Sequence, residues 1–536
     1  MIQPDELKKD EPLLWSSGNG IDVWAMFCAC FAGDLANVKQ LVSKDPSLVR
    51  SQYVYRTPLY FAVRENRIEV ARFLLEAGAD PLGLAVNDSL LDICRDRGYA
   101  EMEKLLEANL TNIQGASEKG EPIAAAIRAR DLTKMRSLLD ASPELLHTGD
   151  GRSNQPIHWA VMTRQPDVID ELLERGADIN ASRFDGARPI HLTNGDYNYR
   201  GWRDVPKETT TTPREVLDHL RVRGVYVDIN TAASIGELDR VRELLDEDPS
   251  LANKVSEYVT YYIGSGAPLK NAAARGHIDV VQLLLERGAD PNLPEEGIAP
   301  HGNALYSAVY NGHYEIAKLL LERGAYPSPP VESSADALSI AKMNKDERMA
   351  ELLCSYGAAR SVDLLSYYGD VETAAAIFAV NPALADDPHA LSQAADNGHE
   401  AFVRLMLHHQ PDLAKRMSGA AKTRELSEFL FGRGANPNTA NWLGITQLHQ
   451  YARSGDVDGA ALFIDHGADL HARDEDICST PLGWAAKFGR AEMVELLLSR
   501  GAKTTLPDDP EWATPLAWAK RRGHHEVVEL LENFTG

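Results

Sequence analysis

The chain has 536 residues, of which 44% are hydrophobic and 25% are charged, as in ordinary globular proteins. Its 79 acidic and 55 basic side chains give a formal net charge of −24. Because phosphate backbones attract clustered Lys and Arg, this balance argues against a nucleic-acid partner and favours a basic one.

Membrane and export signals are also missing from the pattern. No apolar run reaches the roughly 18 residues of a membrane span, and the opening residues 1–7 do not read as a signal peptide. Five cysteines in a chain of this length fit a reducing compartment. We therefore expect a soluble, cytoplasmic protein with no membrane partner.

One phrase recurs along the chain. Residues 73–80, an apolar helix end followed by Gly-Ala-Asp, return in variant form six times: 171–178, 283–290, 319–326, 429–436, 462–469 and 496–503. The closing glycines of neighbouring copies are 36, 33, 33 and 34 residues apart: Gly288, Gly324 and Gly357, then Gly434, Gly467 and Gly501. A period near 33 residues indicates a repeat protein.

A second phrase stands before these copies and predicts a helix start. Thr57-Pro58-Leu59 is its clearest form, with variants at residues 155–160, 188–191, 267–269, 480–482 and 514–516. Thr is a good N-cap, and Pro is pre-shaped for the first helical position. The short helix ends at a pair such as Gly276-His277, and a second helix follows it. That helix ends where Gly288 can take the left-handed backbone.

The two phrases together resemble the ankyrin-repeat family, over about residues 24 to 534. The resemblance implies an all-α solenoid of about sixteen helix-pair units, each with a projecting loop, in which the Gly-His histidines tie neighbouring loops together. We predict an N-terminal tail or cap at 1–23 and a continuous solenoid at 24–534. Within it lie an insertion at 192–214 and enlarged loops at 253–266 and 291–302.

A variant of the unit replaces the closing glycine turn by a proline turn. It occurs at Asp45-Pro46, Ser142-Pro143, Asp248-Pro249 and Asn381-Pro382. Three of these variants begin blocks of roughly one hundred residues, which is the length of about three units. The pattern suggests that a multi-repeat block was duplicated.

The centre of the chain departs most from its own pattern, and binding residues of repeat proteins concentrate in such irregular loops. Ten of the 18 tyrosines lie between Ile190 and Tyr326. Tyr and Trp in loops are common contact residues, although they also pack long loops against a solenoid. The predicted ligand- or partner-binding residues are Trp159, Tyr197, Tyr199, Trp202, Arg203, Tyr258, Tyr261, Tyr262, Lys270, Tyr306 and Tyr310.

Two functions remain open at this point. The family resemblance implies an interaction scaffold that binds a protein through its concave groove and central aromatic loops. Alternatively, the central repeats build a pocket for a small or carbohydrate-like ligand, with paired carboxylates and histidines for acid/base chemistry. The candidate catalytic residues are Asp196, Glu295, Glu296, His158, His191 and His301.

The same residues also have ordinary structural explanations. His158 and His191 occupy the structural histidine position of the family's phrase, and Glu295-Glu296 is typical of a solvated loop. Cys28 and Cys30 stand two positions apart on one predicted helix, so they point to different faces. We expect neither a metal site nor a cofactor.

Overall fold

The structure is a computed structural model that describes residues 1–13, 16–81, 88–114, 117–196, 198–256, 262–293, 304–328, 336–358 and 361–534. Within these ranges it contains 30 α-helices and nine short 3-10 helices. The same residues form isolated β-bridges but no strand. The expected all-α class is therefore confirmed. None of the described helices is long and apolar enough to cross a membrane.

The chain divides into two compact parts, which we call the N-terminal body (residues 9–359) and the C-terminal body (residues 1–8 and 360–536). The N-terminal body contains α1 (Gly20–Ala32), α2 (Leu35–Lys44), α3 (Pro58–Arg64), α4 (Ile68–Glu76), α5 (Leu90–Arg97), α6 (Ala100–Gln114), α7 (Glu121–Arg128), α8 (Leu132–Ala141), α9 (Pro156–Met162), α10 (Pro166–Glu174), α11 (Pro213–Val222), α12 (Ile229–Ile235), α13 (Leu238–Glu247), α14 (Pro268–Arg275), α15 (Ile278–Glu286), α16 (Ala304–Tyr310), α17 (Tyr314–Glu322), α18 (Ala337–Met343) and α19 (Glu347–Ser355).

The C-terminal body contains α20 (Val362–Tyr368), α21 (Val371–Val380), α22 (Pro388–Asn397), α23 (Glu400–His409), α24 (Arg424–Gly432), α25 (Gln447–Ser454), α26 (Val457–Asp465), α27 (Pro481–Lys487), α28 (Ala491–Ser499), α29 (Pro515–Arg522) and α30 (His525–Asn533). In both bodies the helices pair in chain order. The first helices of successive pairs pack on one another in five runs: α1, α3 and α5; α7 and α9; α12, α14, α16 and α18; α20 and α22; and α25, α27 and α29. The described helices form fourteen pairs, and α11 and α24 stand alone, which makes sixteen repeats.

The helix boundaries follow from the two sequence phrases. Thr57 accepts a hydrogen bond from the backbone N–H of Tyr60, so it is the N-cap of α3, and Pro58 takes the first helical position. Helix α15 ends just before Gly288, whose φ of +88° is left-handed. The first helix of the chain begins at Gly20, within the residues that we expected to form a tail, because Asn19 caps it.

The Gly-His histidines join successive repeats, as the resemblance implied. The Nε2 atom of His277 lies 3.2 Å from the carbonyl oxygen of Ser234 in the preceding repeat. His399 and His524 make the same contact with the carbonyls of Tyr367 and Lys487, at 2.8 and 3.1 Å. In two other repeats an arginine occupies this position, and its Nε atom donates the equivalent bond: Arg67 to Phe31 and Arg490 to Arg453, at 3.0 and 2.9 Å.

Repeats six and thirteen lack a first α-helix. In repeat six a 3-10 turn (Pro189–Leu192) precedes the insertion and α11. In repeat thirteen the non-helical residues 417–423 precede α24. The apolar core divides at both places. Residues 123–225, together with Tyr262, cluster apart from residues 229–353. Residues 365–435 cluster apart from residues 448–531, which Ala420 joins. The stacked first helices therefore carry the continuity of the core.

Candidate functional site

The insertion of repeat six folds back on itself before α11 begins. Gly195 forms a bridge with Arg200, and the backbone N–H of Asp196 donates to the carbonyl of Tyr199 at 2.9 Å. Gly195 has a φ of +87°, and a Cβ atom there would lie 2.0 Å from the Tyr199 carbonyl oxygen. The Asp204 carboxylate then accepts a bond from the backbone N–H of Arg200 at 2.7 Å. The insertion is thus a closed loop held by its own backbone.

Arg183 anchors this loop to its neighbours. Its guanidinium is 1% exposed, and all five of its N–H groups are used. Nη1 donates to Asn154 and Asp196, both at 2.8 Å, and Nε and Nη2 donate to the two oxygens of Asp185 at 3.0 and 2.6 Å. Nη2 also donates to the Tyr262 hydroxyl at 2.7 Å. We call these five residues the Arg183 network.

The Arg183 network connects loops of repeats five, six and eight. Asn154 precedes α9, Arg183 and Asp185 precede the 3-10 turn of repeat six, Asp196 belongs to the insertion, and Tyr262 lies ahead of α14 in repeat eight. Burial raises the pKa of the Tyr262 hydroxyl, which therefore stays protonated and donates to Asp185 at 3.1 Å. Because the buried guanidinium pairs with two carboxylates and has no unused donor, we assign it a structural role in holding these loops together.

A second buried carboxylate organises the wall beside this network. Asp150 accepts the indole N–H of Trp159 at 2.8 Å, and its other oxygen accepts the backbone N–H of Asn154 at 3.0 Å. The Trp159 ring is covered by the Arg128 guanidinium at 4.5 Å and meets the Tyr199 ring edge-on at 5.4 Å. Trp159, a predicted contact residue, is therefore buried among protein groups.

Both described candidate histidines are buried and hydrogen-bonded to the protein. Nδ1 of His158 accepts the backbone N–H of Gln155 at 3.0 Å, so its Nε2–H donates to the Ala181 carbonyl at 2.9 Å. Burial, and then the charge of Arg183, lowers the pKa of His158 to about 3. Burial also lowers the pKa of His191, whose Nε2 lies 3.0 Å from Asp228. Both rings are neutral near pH 7.

The remaining predicted site residues divide into buried and exposed groups. Asp196 accepts bonds from two backbone N–H groups besides Arg183, and the buried ammonium of Lys270 donates to the Ser265 carbonyl at 2.9 Å. Tyr306 is buried, and its ring stacks on the exposed ring of Tyr310 at 6.0 Å. Tyr199 is half-buried, and its hydroxyl donates to the Asp204 carbonyl at 3.1 Å. The exposed guanidinium of Arg203 pairs with the Asp204 carboxylate at 2.7 Å.

Among the predicted aromatic residues that the structure describes, Trp202 is the most exposed. Its side chain is 62% exposed at the insertion, with the Arg200 guanidinium 5.3 Å from the ring. Tyr226 and Tyr326 are also exposed, although neither was singled out beyond the tyrosine count. Six predicted residues lie outside the described part of the chain: Tyr197, Tyr258, Tyr261, Glu295, Glu296 and His301.

Sequence reasoning missed Arg183, Asn154, Asp185 and Asp150. For Asp150 a signal existed, because an Asp also precedes a repeat tryptophan at nearly the same distance in the C-terminal body. There Asp474 accepts the indole N–H of Trp484 at 2.9 Å. No group of three or more His, Cys, Asp or Glu side chains within the described residues could hold a metal ion.

Family comparisons agree with the repeat pattern. Models of ankyrin repeats match residues 55–88, 154–183, 229–329, 269–366 and 417–508, which together exceed half of the chain. The chain is 26% identical over 202 residues to the E3 ubiquitin-protein ligase XBAT33 of Arabidopsis thaliana, covering 33% of this chain and 38% of that protein. It is 25% identical over 194 residues to human inversin, covering 34% of this chain and 18% of inversin. The similarity thus spans well under half of either relative.

Proposed function

Since the chain belongs to the ankyrin-repeat family, whose members typically bind proteins, we propose that it is an interaction scaffold. We propose further that it binds a protein partner through the groove and the aromatic loops of its central repeats. The observation that carries this proposal is the contrast within repeat six. Its Arg183 guanidinium and Asp196 carboxylate are buried and paired inside the protein, whereas Trp202 presents most of its ring to solvent.

Trp202 has the properties of a binding anchor. It offers a large rigid surface and an indole N–H that donates to no group in the described residues. Arg200 lies against its ring, and Trp and Arg are both enriched among the residues that dominate binding energy. The loop behind it is closed by backbone hydrogen bonds and by the Arg183 network, so little conformational entropy would be lost on binding.

The second hypothesis is acid/base catalysis at the central repeats. The described side chains there favour binding over catalysis. A general acid or base must exchange a proton with the ligand, so it needs a free position facing that ligand. Asp196 already accepts three hydrogen bonds, and His158 has both ring nitrogens bonded to backbone groups. These groups hold loops in place, and no acid/base pair among the described candidates faces an open site.

The relatives support the binding role in general terms. The match covers 38% of the first ligase and 18% of inversin, so it supports a shared binding module and carries no ligase activity to this chain. We also propose a cytoplasmic location, since the five cysteines, all within the described residues, are not joined in disulfides.

The proposal is tested by comparing captured proteins between two matched variants. Wild-type protein, Trp202→Ala and Val222→Ala are immobilised and exposed to an extract of the source cells, and bound proteins are quantified by mass spectrometry. Val222, on α11 of the same repeat, is 85% exposed and serves as the control. Loss of a hot-spot residue costs at least about 2 kcal/mol, so we expect a discrete set of proteins to fall by more than about tenfold with Trp202→Ala alone. Equal profiles for all three proteins would contradict the proposal.

A further inference from the structure

A cleft of about 590 Å³ lies in the C-terminal body, between α25 and the turn that joins α27 to α28. Gln447, Gln450 and Tyr451 line one side, at positions that share a face of α25. Phe488 and Arg490 line the other side. The cleft thus combines amide donors, two aromatic rings and a guanidinium.

Arg490 brings donors that the repeats with a histidine at this position do not have. In three repeats a histidine makes the inter-repeat bond, and a neutral imidazole has a single N–H, which this bond uses. Arg490 makes the bond with Nε, so its two terminal nitrogens remain available. Neither of them has a partner in the part of the chain that the structure describes.

Arg453 adds a second unpaired cation to the cleft. It stands in the last turn of α25, with its guanidinium 5.6 Å from the Phe488 ring centroid, and no described carboxylate pairs with it. Asp456 is the acidic residue of the lining, and it caps α26 by accepting the backbone N–H of Gly459 at 2.9 Å. The cleft therefore holds two guanidinium groups with unpaired donors, in a chain whose net charge is −24.

We propose that this cleft binds an acidic peptide segment of a partner protein, with a Glu or Asp carboxylate held between Arg453 and Arg490. The planar guanidinium forks match a carboxylate, and the amides of Gln447 and Gln450 supply further donors. The rings of Tyr451 and Phe488 give apolar contact to the rest of the segment.

The test uses a fluorescein-labelled hexaglutamate peptide and the full chain, followed by fluorescence anisotropy near physiological salt, where the field of distant charges is screened. We expect binding that weakens by about tenfold or more in Arg490→His and in Arg453→Gln. Arg490→His keeps the inter-repeat bond in the form that three other repeats use, so its melting temperature should change little. Arg67→His, the same change in repeat two, is the matched control and should bind like wild type.

The competing outcomes are separable. Wild-type affinity in both Arg490→His and Arg453→Gln would overturn the proposal, as would equal binding of hexaglutamine. Tighter binding of a phosphoserine peptide of the same length would overturn the choice of carboxylate. Trp202→Ala should bind hexaglutamate normally, because Trp202 belongs to the N-terminal body, so failure here is distinguishable from failure of the central binding surface.

Discussion

Repeats six and thirteen both lack a first α-helix, and they compensate in opposite ways. In repeat six the insertion fills the place with a charged, fully paired network around Arg183. In repeat thirteen residues 417–423 are mostly small, and backbone bonds hold them, such as Lys422 N–H to the Ala395 carbonyl at 2.9 Å. The apolar core divides at both repeats.

The difference shows what a lost helix requires. A short segment of small residues suffices to connect one repeat to the next, so the insertion of repeat six exceeds the structural need. The surplus residues include Trp202, which is exposed, and the Arg183 network keeps that loop in one conformation. We therefore interpret repeat six as a specialised surface and repeat thirteen as a plain junction.

Removing the Arg183 guanidinium of repeat six should lower the stability of the protein more than any other change considered. Arg183→Met leaves Asp185 and Asp196 buried without their cation, and breaking a buried ion pair in this way costs about 3–5 kcal/mol. Lys422→Met is the matched change in repeat thirteen, where an exposed side chain should contribute within about 0.5 kcal/mol. Urea unfolding followed by circular dichroism measures both. Similar losses for the two variants would remove the distinction between the repeats.

Glycine-to-alanine substitutions should also destabilise repeat six more than repeat thirteen, but by a smaller difference in the free energy of unfolding. Gly195 and Gly419 both have left-handed backbones, with φ of +87° and +89°. An added Cβ would meet a backbone oxygen at 2.0 Å in Gly195→Ala but a Phe431 ring atom at 2.7 Å in Gly419→Ala. We expect a loss of about 1–3 kcal/mol for Gly419→Ala and a larger loss for Gly195→Ala, because the backbone cannot yield as a side chain can.

Gly467→Ala isolates the conformational part of that effect. Gly467 has a φ of +89° with nothing within 4 Å of the added carbon. Its loss should therefore be the smallest of the three glycine variants in the same unfolding measurement. A Gly195→Ala variant no less stable than Gly467→Ala would show that the insertion is not closed as described.

Acid should weaken the protein through its buried histidines. The pKa of His158 is about 3 in the folded protein and 6.5 in its ordinary state, so the unfolded chain binds the additional proton between these values. The free energy of unfolding is therefore unaffected by His158 above about pH 6.5. It decreases as the pH falls from there toward about 3, because the unfolded chain takes up the proton that the folded protein excludes. The groups that face this ring are Arg183, Asp185 and His191.

Melting temperatures between about pH 7.5 and 5 test this expectation. The decline with acid should be shallower in His158→Gln than in wild type. His389 is the control, because Asp363 raises its pKa and its side chain is exposed, so His389→Gln should not flatten the decline. A parallel decline in wild type and His158→Gln would assign the acid sensitivity to other groups.

The repeat architecture could be predicted from the sequence because its signals are local. The N-cap Thr57 and the turn glycine Gly288 each act within a few residues, and the structure has both as expected. The Arg183 network could not be predicted, because Arg183 and Tyr262 are 79 positions apart. Trp159 was predicted as a contact residue from its position in the repeat. The structure instead buries it and bonds its indole N–H to Asp150, nine residues earlier in the chain.

The most direct test of the account is site-specific photo-crosslinking at Trp202. The photoreactive residue p-benzoylphenylalanine replaces Trp202 in one protein and Val380, an 88% exposed residue of α21, in another. After irradiation in an extract of the source cells, adducts are resolved by gel and identified by mass spectrometry. We predict a discrete protein adduct from position 202 and none of that identity from position 380. No adduct at 202, or the same adducts from both positions, would contradict the view that repeat six carries the binding surface.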